Sequence, residues 1–279
     1  MKKIHIILYT IPLLIMGIFF NALSVQATTY FYDEFNVSSD TILSNRTPDT
    51  GTSWSQLINN GRTLYVRSYN DHITPESNGD NVGALYQANG TYPTADYEVF
   101  YRIAFAAGDW NYTRSVAARI QDANNMYLLR QGHGATGLQI YKRTSGVWTL
   151  LGSVAYYPVG DTSAPYNDAG DVVGIRVEGN NISALVNNEV KLTVTDSDHT
   201  LAGSTGVGVG YVNVSSDDSG TGVGVDNFTV RSLGDYTNPT VANLTPADNA
   251  TNVALDADFT ITFNEDVATS TGNIYIWDV

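Results

Sequence analysis

Val116-Ala-Ala-Arg-Ile-Gln-Asp-Ala-Asn-Asn-Met-Tyr-Leu-Leu-Arg130 is the stretch that decides how the rest of the chain is read. Two β-prone runs flank a loop made of turn-favouring residues. With Asp122 to Asn125 in the loop, Gln121 faces Met126, Ile120 faces Tyr127, Ala118 faces Leu129, and Val116 continues that side. This face is wholly apolar. The opposite face carries Arg119, Gln121, Leu128 and Arg130. Side chains alternate across a strand, so one face builds a core and the other is left to meet something else.

The logic repeats along the chain. Thr29 to Phe35, Arg62 to Tyr69, Val82 to Gln87 and Tyr97 to Ala106 read as strands, the last with Tyr97, Val99, Tyr101, Ile103 and Phe105 on one side. Asn36 to Asn60 reads as a long loop pinned by Trp54, and Asp71 to Asp80 as another loop. Leu138 to Arg143 and Val147 to Leu151 flank Thr144-Ser145-Gly146, which suits a three-residue hairpin loop with a bulge. A Gly179-Asn180 turn aligns Val177 with Ile182, Ile175 with Ala184, and Val173 with Val186, all apolar and on one face. Asn187-Asn188 turns the chain into Val190 to Val194, and Gly206 to Val212 and Val223 to Val230 follow. In the last of these the apolar phase slips, which predicts a β-bulge at Asp226-Asn227. No stretch offers an uninterrupted amphipathic helix. About a dozen short strands with turns between them mean an all-β fold, a sandwich or barrel.

The termini read differently. Lys2 and Lys3, the uncharged apolar run Ile4 to Phe20 and the small-residue site Val25-Gln26-Ala27 form a secretory signal peptide over residues 1–27, with no membrane insertion after its cleavage. Its loss removes two of the 14 basic residues and none of the 28 acidic ones, so the formal charge moves from −14 to −16. Such a field repels nucleic acid and anionic membrane. The chain has no cysteine, which excludes thiolate chemistry and disulfide support, and points to a bacterial exported protein held by core burial. After a linker from Ser232 to Pro239, a new pattern begins with Val241 to Pro246, Phe259 to Phe263 and Asn273 to Trp277. These few strands are too short a stretch for a complete sandwich of about 100 residues, so residues 235–279 are expected to be the first part of a truncated second domain.

Tyr32-Asp-Glu-Phe-Asn36, the Arg119 to Arg130 hairpin, Val177-Glu-Gly-Asn-Asn-Ile182 and Val225-Asp-Asn-Phe228 together resemble the concanavalin A-like lectin and glucanase family, in its laminin-G-like bacterial branch. The resemblance covers residues 28–234. It implies a jelly roll of two antiparallel sheets with the first and last strands adjacent, and relatives that bind carbohydrate, mediate adhesion or cleave polysaccharides. Pro239 to Val253, Thr262-Phe-Asn-Glu-Asp-Val267 and Gly272-Asn-Ile resemble the bacterial Ig-like domain first named in S-layer proteins, which implies a spacer on a surface protein.

Glycanases of this fold place two carboxylates against the scissile bond. The family's Glu-x-Asp-x-x-Glu strand is missing here, and Glu34, Glu76, Glu98, Glu178, Glu189 and Glu265 are scattered. The Gln-x-His lyase strand is missing too, and His72, His133 and His199 lie in polar stretches without a paired base. No catalytic residue is therefore assigned. Sugar binding asks for an aromatic face and a few donors and acceptors. Tyr141 shares a face with Gln139 and Arg143, and Trp148 lies across the turn. Together with Arg119, Gln121 and Arg130 they would line a sheet surface; Trp110, with Asp109 and Asn111, is a second contact candidate. Asp33 and Asp226 on neighbouring terminal strands would suit a structural calcium ion. The expectation is a secreted or surface-displayed, non-catalytic binding or adhesion module for an extracellular glycan or glycosylated surface. A polysaccharide-degrading enzyme, or an accessory domain of one, and a ligand-free spacer are the alternatives.

Overall fold

The computed structural model describes residues 4–6, 27–68, 71–75, 83–90, 92–105, 113–132, 137–156, 170–210, 224–234, 240–247, 250–251, 253–254 and 257–263. The chain divides into two compact units, Thr28–Leu233 and the remainder, residues 1–27 with 234–279. Its strands, in chain order, are β1 (Ile4–Ile6), β2 (Thr29–Asp33), β3 (Thr41–Ile42), β4 (Ser53–Asn60), β5 (Leu64–Arg67), β6 (His72–Pro75), β7 (Gly83–Asn89), β8 (Tyr97–Phe105), β9 (Arg114–Asp122) and β10 (Asn125–Gln131). There follow β11 (Leu138–Thr144), β12 (Val147–Val154), β13 (Val172–Glu178), β14 (Asn181–Val186), β15 (Glu189–Thr195), β16 (Ser204–Gly210), β17 (Gly224–Ser232), β18 (Val241–Thr245) and β19 (Phe259–Phe263). Among the described residues the only helix is a 3-10 turn at Leu43–Asn45, and no helix is long and apolar enough to cross a membrane.

The larger unit is an antiparallel two-sheet sandwich. A seven-stranded sheet runs β12-β11-β10-β9-β16-β7-β4, and a nine-stranded sheet runs β15-β14-β13-β8-β17-β6-β5-β3 with β2 also paired to β17. First and last strands therefore lie side by side, Phe228 opposite Asp33 and Val230 opposite Phe31. The core fills the space between the inner faces: Tyr97, Val99, Tyr101 and Ile103 from one sheet meet Val116, Ala118, Tyr127 and Leu129 from the other.

Turn chemistry sets the registers. Gly179, at φ 54°, opens the β13–β14 turn, and Val177, Ile175 and Val173 face Ile182, Ala184 and Val186 as the alternation requires. The β11–β12 turn is tighter than the expected three-residue loop: Thr144 faces Val147, and Ser145 and Gly146 both have positive φ, the primed two-residue geometry. The bulge at Asp226-Asn227 is present, with Asn227 at φ 49°. Two expected loops contain strands. Ser53–Asn60 forms β4, an edge strand whose polar outward residues hid its alternation, and His72–Pro75 forms β6.

The opening hairpin differs in register. Its turn is Ala123-Asn124, with Asp122 opposite Asn125. The Asp122 carboxylate accepts from the Asn124 amide and the Asn125 side chain, which tightens it. A bulge before it, with Arg119 at φ 49°, brings Ala118 opposite Tyr127 and Val116 opposite Leu129. The core side of both strands is as expected up to Ala118. Ile120, beyond the bulge, joins a second apolar cluster instead of the core.

Near the chain's first strand, Phe31, Phe35, Trp54 and Phe228 pack edge-on and tilted at 4.9–6.0 Å between ring centroids. Asp33 sits fully buried among them. Its carboxylate accepts from the Phe35 amide at 2.9 Å, Trp54 Nε1 at 2.8 Å and Arg46 Nε at 2.6 Å.

In the smaller unit, β18 and β19 pair antiparallel and β1 adds to the far side of β19, in the order β1-β19-β18. Ile4–Ile6, read from the sequence as part of a leader, occupies that edge. The expected strand at Asn273 to Trp277 lies outside the described residues.

Removing the Asp33 carboxylate leaves the indole and guanidinium donors buried without an acceptor. Asp33→Ala is expected to lower unfolding free energy by about 3–5 kcal/mol in urea titration; a loss under about 1 kcal/mol would contradict this role.

Candidate carbohydrate-binding face

The outer face of the seven-stranded sheet has its own apolar floor. Ala117 and Leu128, which point away from the core by alternation, cluster with Ile58, Leu85, Ile120, Met126 and Tyr141, and Leu57 and Trp148 pack partly buried against them. Strand pairing puts a polar row beside this floor. Arg130 is opposite Gln139 on one side and Ser115 on the other, and Ser115 is opposite Gly208. Arg130 NH1 donates to Gln139 Oε1 at 2.7 Å, and the Tyr141 hydroxyl approaches the same oxygen at 3.4 Å. The Ser115 hydroxyl, buried on this face, has no hydrogen-bond partner.

The aromatic pair expected from the sequence is present but unequal. Tyr141 and Trp148 meet edge to face, with centroids 6.4 Å apart and planes at 84°. Tyr141 is buried, so it forms part of the floor, and burial pushes its hydroxyl pKa up against the pull of Arg130. Trp148 is half-buried and offers indole surface. Arg143 covers one side of that ring, its guanidinium carbon 5.1 Å from the centroid, while its nitrogens donate to Ala123 O and Gly146 O. Burial lowers the Arg143 pKa.

Two of the expected contact residues are elsewhere. Arg119 is 1% exposed, because the bulge turns its side chain inward. It donates to Ala95 O, Gly179 O, His199 O and Asp96 Oδ1 at 2.8–3.0 Å, and its amide donates to the Tyr97 hydroxyl. It is a buried tie between loops of the two sheets, not part of the outer face. Gln121 is exposed at the hairpin end, donating to Leu201 O and Ala202 O at 3.3 and 3.1 Å. The structure thus gathers Arg130, Tyr141 and Trp148, adds Gln139 and Arg143, and leaves Arg119 and Gln121 out.

The expected carboxylate pair for calcium is not assembled. Asp33 accepts from three protein donors, including Arg46, and Asp226 is held by Arg102 and its neighbouring amide. A guanidinium stands at each carboxylate where a cation would stand, so the residues do not fit a calcium site. No group of three or more His, Asp or Glu side chains suited to a metal occurs among the described residues. His72 opens β6 and is buried, and His199 is buried with Nε2 2.7 Å from Arg143 O. His133 and the Asp109-Trp110-Asn111 contact candidate lie outside the described residues.

Residues 235–276 match the family model of a bacterial Ig-like domain. No curated protein matches the chain. Solved structures similar to it include the carbohydrate binding module CBM66 from Bacillus subtilis, 16% identical over 64% of this chain and 95% of that one, with a TM-score of 0.47. A Bacillus licheniformis β-glucanase is 15% identical over 75% of this chain and all of its own, with a TM-score of 0.42. Domain 4 of an extracellular arabinanase from Geobacillus stearothermophilus, solved with arabinotriose, is 12% identical over 75% and 94%, with a TM-score of 0.41. The fold assignment rests on the sheets themselves.

Charge is unevenly placed. Within the seven strands of this sheet the one acidic residue is Asp122 at the hairpin tip, while Arg114, Arg119, Arg130, Lys142 and Arg143 are basic. Arg114 points inward to Gly224 O and Gln131 Oε1. Lys142 reaches the edge, where Asp196 and Asp198 hold it at 2.6 and 2.8 Å. Arg130 and Arg143 are the two that share the outer face with Trp148.

Two outcomes separate support from contact. Arg119→Met strands three carbonyls and is expected to cost about 3 kcal/mol or more, whereas Trp148→Ala, half-buried, costs no more than about 1.5 kcal/mol; equal losses in urea titration would contradict the assignment. For Asp196, burial raises the pKa, but Lys142, the Asp198 amide and the Tyr127 hydroxyl outweigh it and hold the group below the ordinary 3.8. Its contribution to stability is present above pH 3.8 and is lost as pH falls through the lower folded pKa. Asp196→Asn should therefore flatten the acid limb of a stability–pH curve; an unchanged limb would count against it.

Proposed function

We propose that the sandwich is a non-catalytic carbohydrate-binding module, secreted or displayed at a cell surface, that takes an extracellular glycan on the outer face of its seven-stranded sheet. The observation that carries this reading is the cluster of a half-exposed indole, an arginine–glutamine pair and a second arginine over an apolar floor. An aromatic surface takes the apolar side of a sugar ring, and planar donors and acceptors beside it take the hydroxyls. The sheet's lone carboxylate, Asp122, is committed to its own turn, so the paired acid and nucleophile or base of a glycosidase are not supplied by these strands. The leader read at residues 1–27 and the Ig-like match at 235–276 agree with export.

The test is a polysaccharide panel read by affinity electrophoresis with the protein and its Trp148→Ala variant, alongside a reducing-end assay. Retardation by at least one glycan, reduced about tenfold or more by Trp148→Ala with unfolding little changed, and no new reducing ends are expected. Release of reducing ends would establish an enzyme. No retardation by any glycan would leave a structural spacer.

A further inference from the structure

The two faces of the sandwich handle charge differently. On the nine-stranded sheet, Glu98 is fully buried between Arg176 and Arg231, at 2.5–2.8 Å, and Arg231 lies 4.6 Å over the Phe100 ring. Arg102 pairs with Asp226 in the same sheet. Acid and base there alternate between neighbouring strands and neutralise each other. The seven-stranded sheet has no such ladder. Its outer face holds Arg130 and Arg143, and their recorded side-chain partners are neutral: an amide oxygen, two backbone carbonyls and an indole ring. In a chain with 28 acidic residues against 14 basic, this surface has the opposite sign from the molecule that carries it.

A neutral glycan needs no cation, and amide and hydroxyl groups serve its hydroxyls as well. Arginine's fork matches a carboxylate or a sulfate through two parallel hydrogen bonds, which lysine does not reproduce. The net charge of the whole chain repels a polyanion at long range, so contact requires a local positive face. Arg130 stands in the row between the Gln139 amide and the small residues Ser115 and Gly208. The unpartnered Ser115 hydroxyl on that row is a further donor turned to the same side.

We infer that the outer face is built for an anionic polysaccharide, with Arg130 as the residue that recognises the acidic group and Trp148 as the ring platform. This deepens, and rests on, the reading of that face as a glycan-binding surface.

The experiment pairs each charged polymer with its neutral counterpart: polygalacturonate with its fully methyl-esterified form, and dextran sulfate with dextran. Affinity of the full chain is measured for all four, then for Arg130→Gln, Arg130→Lys and Trp148→Ala. At least one charged polymer is expected to bind about tenfold tighter than its neutral partner. Arg130→Gln should erase that preference, and Arg130→Lys should keep only part of it, at unchanged unfolding midpoint. The carboxylate and sulfate arms show which anion the site takes. Equal binding within both pairs, or a preference that survives Arg130→Gln, overturns the inference. If a neutral polymer binds through Trp148 without charge preference, the glycan-binding reading stands and the inference alone falls. If no polymer here or in the wider panel binds, both fall.

Discussion

Arg119 is the constraint on which the geometry of this sandwich depends. A residue with a long charged side chain occupies a left-handed backbone position, and its guanidinium is taken fully out of water. Both are costly alone. They are offset because every recorded contact is a directed hydrogen bond to a loop that needs a donor: Ala95 and Asp96 before β8, Gly179 in the β13–β14 turn, and His199 between β15 and β16. One side chain of the seven-stranded sheet therefore fixes three loops, two of them belonging to the other sheet. Gly203 belongs to the same arrangement. A Cβ there would lie 2.6 Å from the Ile120 carbonyl oxygen, so only glycine lets the chain pass this close to the bulge.

The outer face follows from that bulge. Before it, Ser115 and Ala117 look outward and Val116 and Ala118 look into the core. At it, the alternation breaks, and Ile120 leaves the core side to join the floor with Leu128, Met126 and Tyr141. The floor is thus completed by a residue that a regular strand would have turned inward. Above it, β11 and β12 place Arg143 beside Trp148, and β10 places Arg130 beside Gln139. The face is positioned by backbone hydrogen bonds of a continuous sheet, which holds such groups more firmly than a loop does.

Much of this was legible in the sequence wherever apolar alternation and turn chemistry agree. The β13–β14 register, the core side of β8 and the Asp226-Asn227 bulge follow from residues a few positions apart. The Tyr141–Trp148 neighbourhood also follows from a hairpin read alone. What was not legible depends on partners distant in sequence. Ser53-Trp-Ser-Gln-Leu-Ile-Asn-Asn60 reads as polar loop because an edge strand buries little on its outer side, and it becomes a strand only by pairing with β7. Arg119 reads as an outward cation because nothing near it in sequence announces carbonyls from Gly179 and His199. Asp33 and Asp226 read as a cation site because the arginines that satisfy them, Arg46 and Arg102, come from other segments. Strand alternation gives the side a residue faces, and it says nothing of the bulge that reverses that side.

The central claim is that a glycan lies on β10, β11 and β12 of the seven-stranded sheet. Chemical-shift mapping on the isotope-labelled protein during titration with an oligosaccharide of a bound polymer tests this most directly. The account predicts that the perturbed signals cluster at Arg130, Gln139, Tyr141, Arg143 and the Trp148 indole, with Glu98, Arg176 and Arg231 on the opposite sheet unmoved. Perturbation confined to the nine-stranded sheet or to the Asp109-Trp110-Asn111 segment, with the Trp148 indole unshifted, would contradict it.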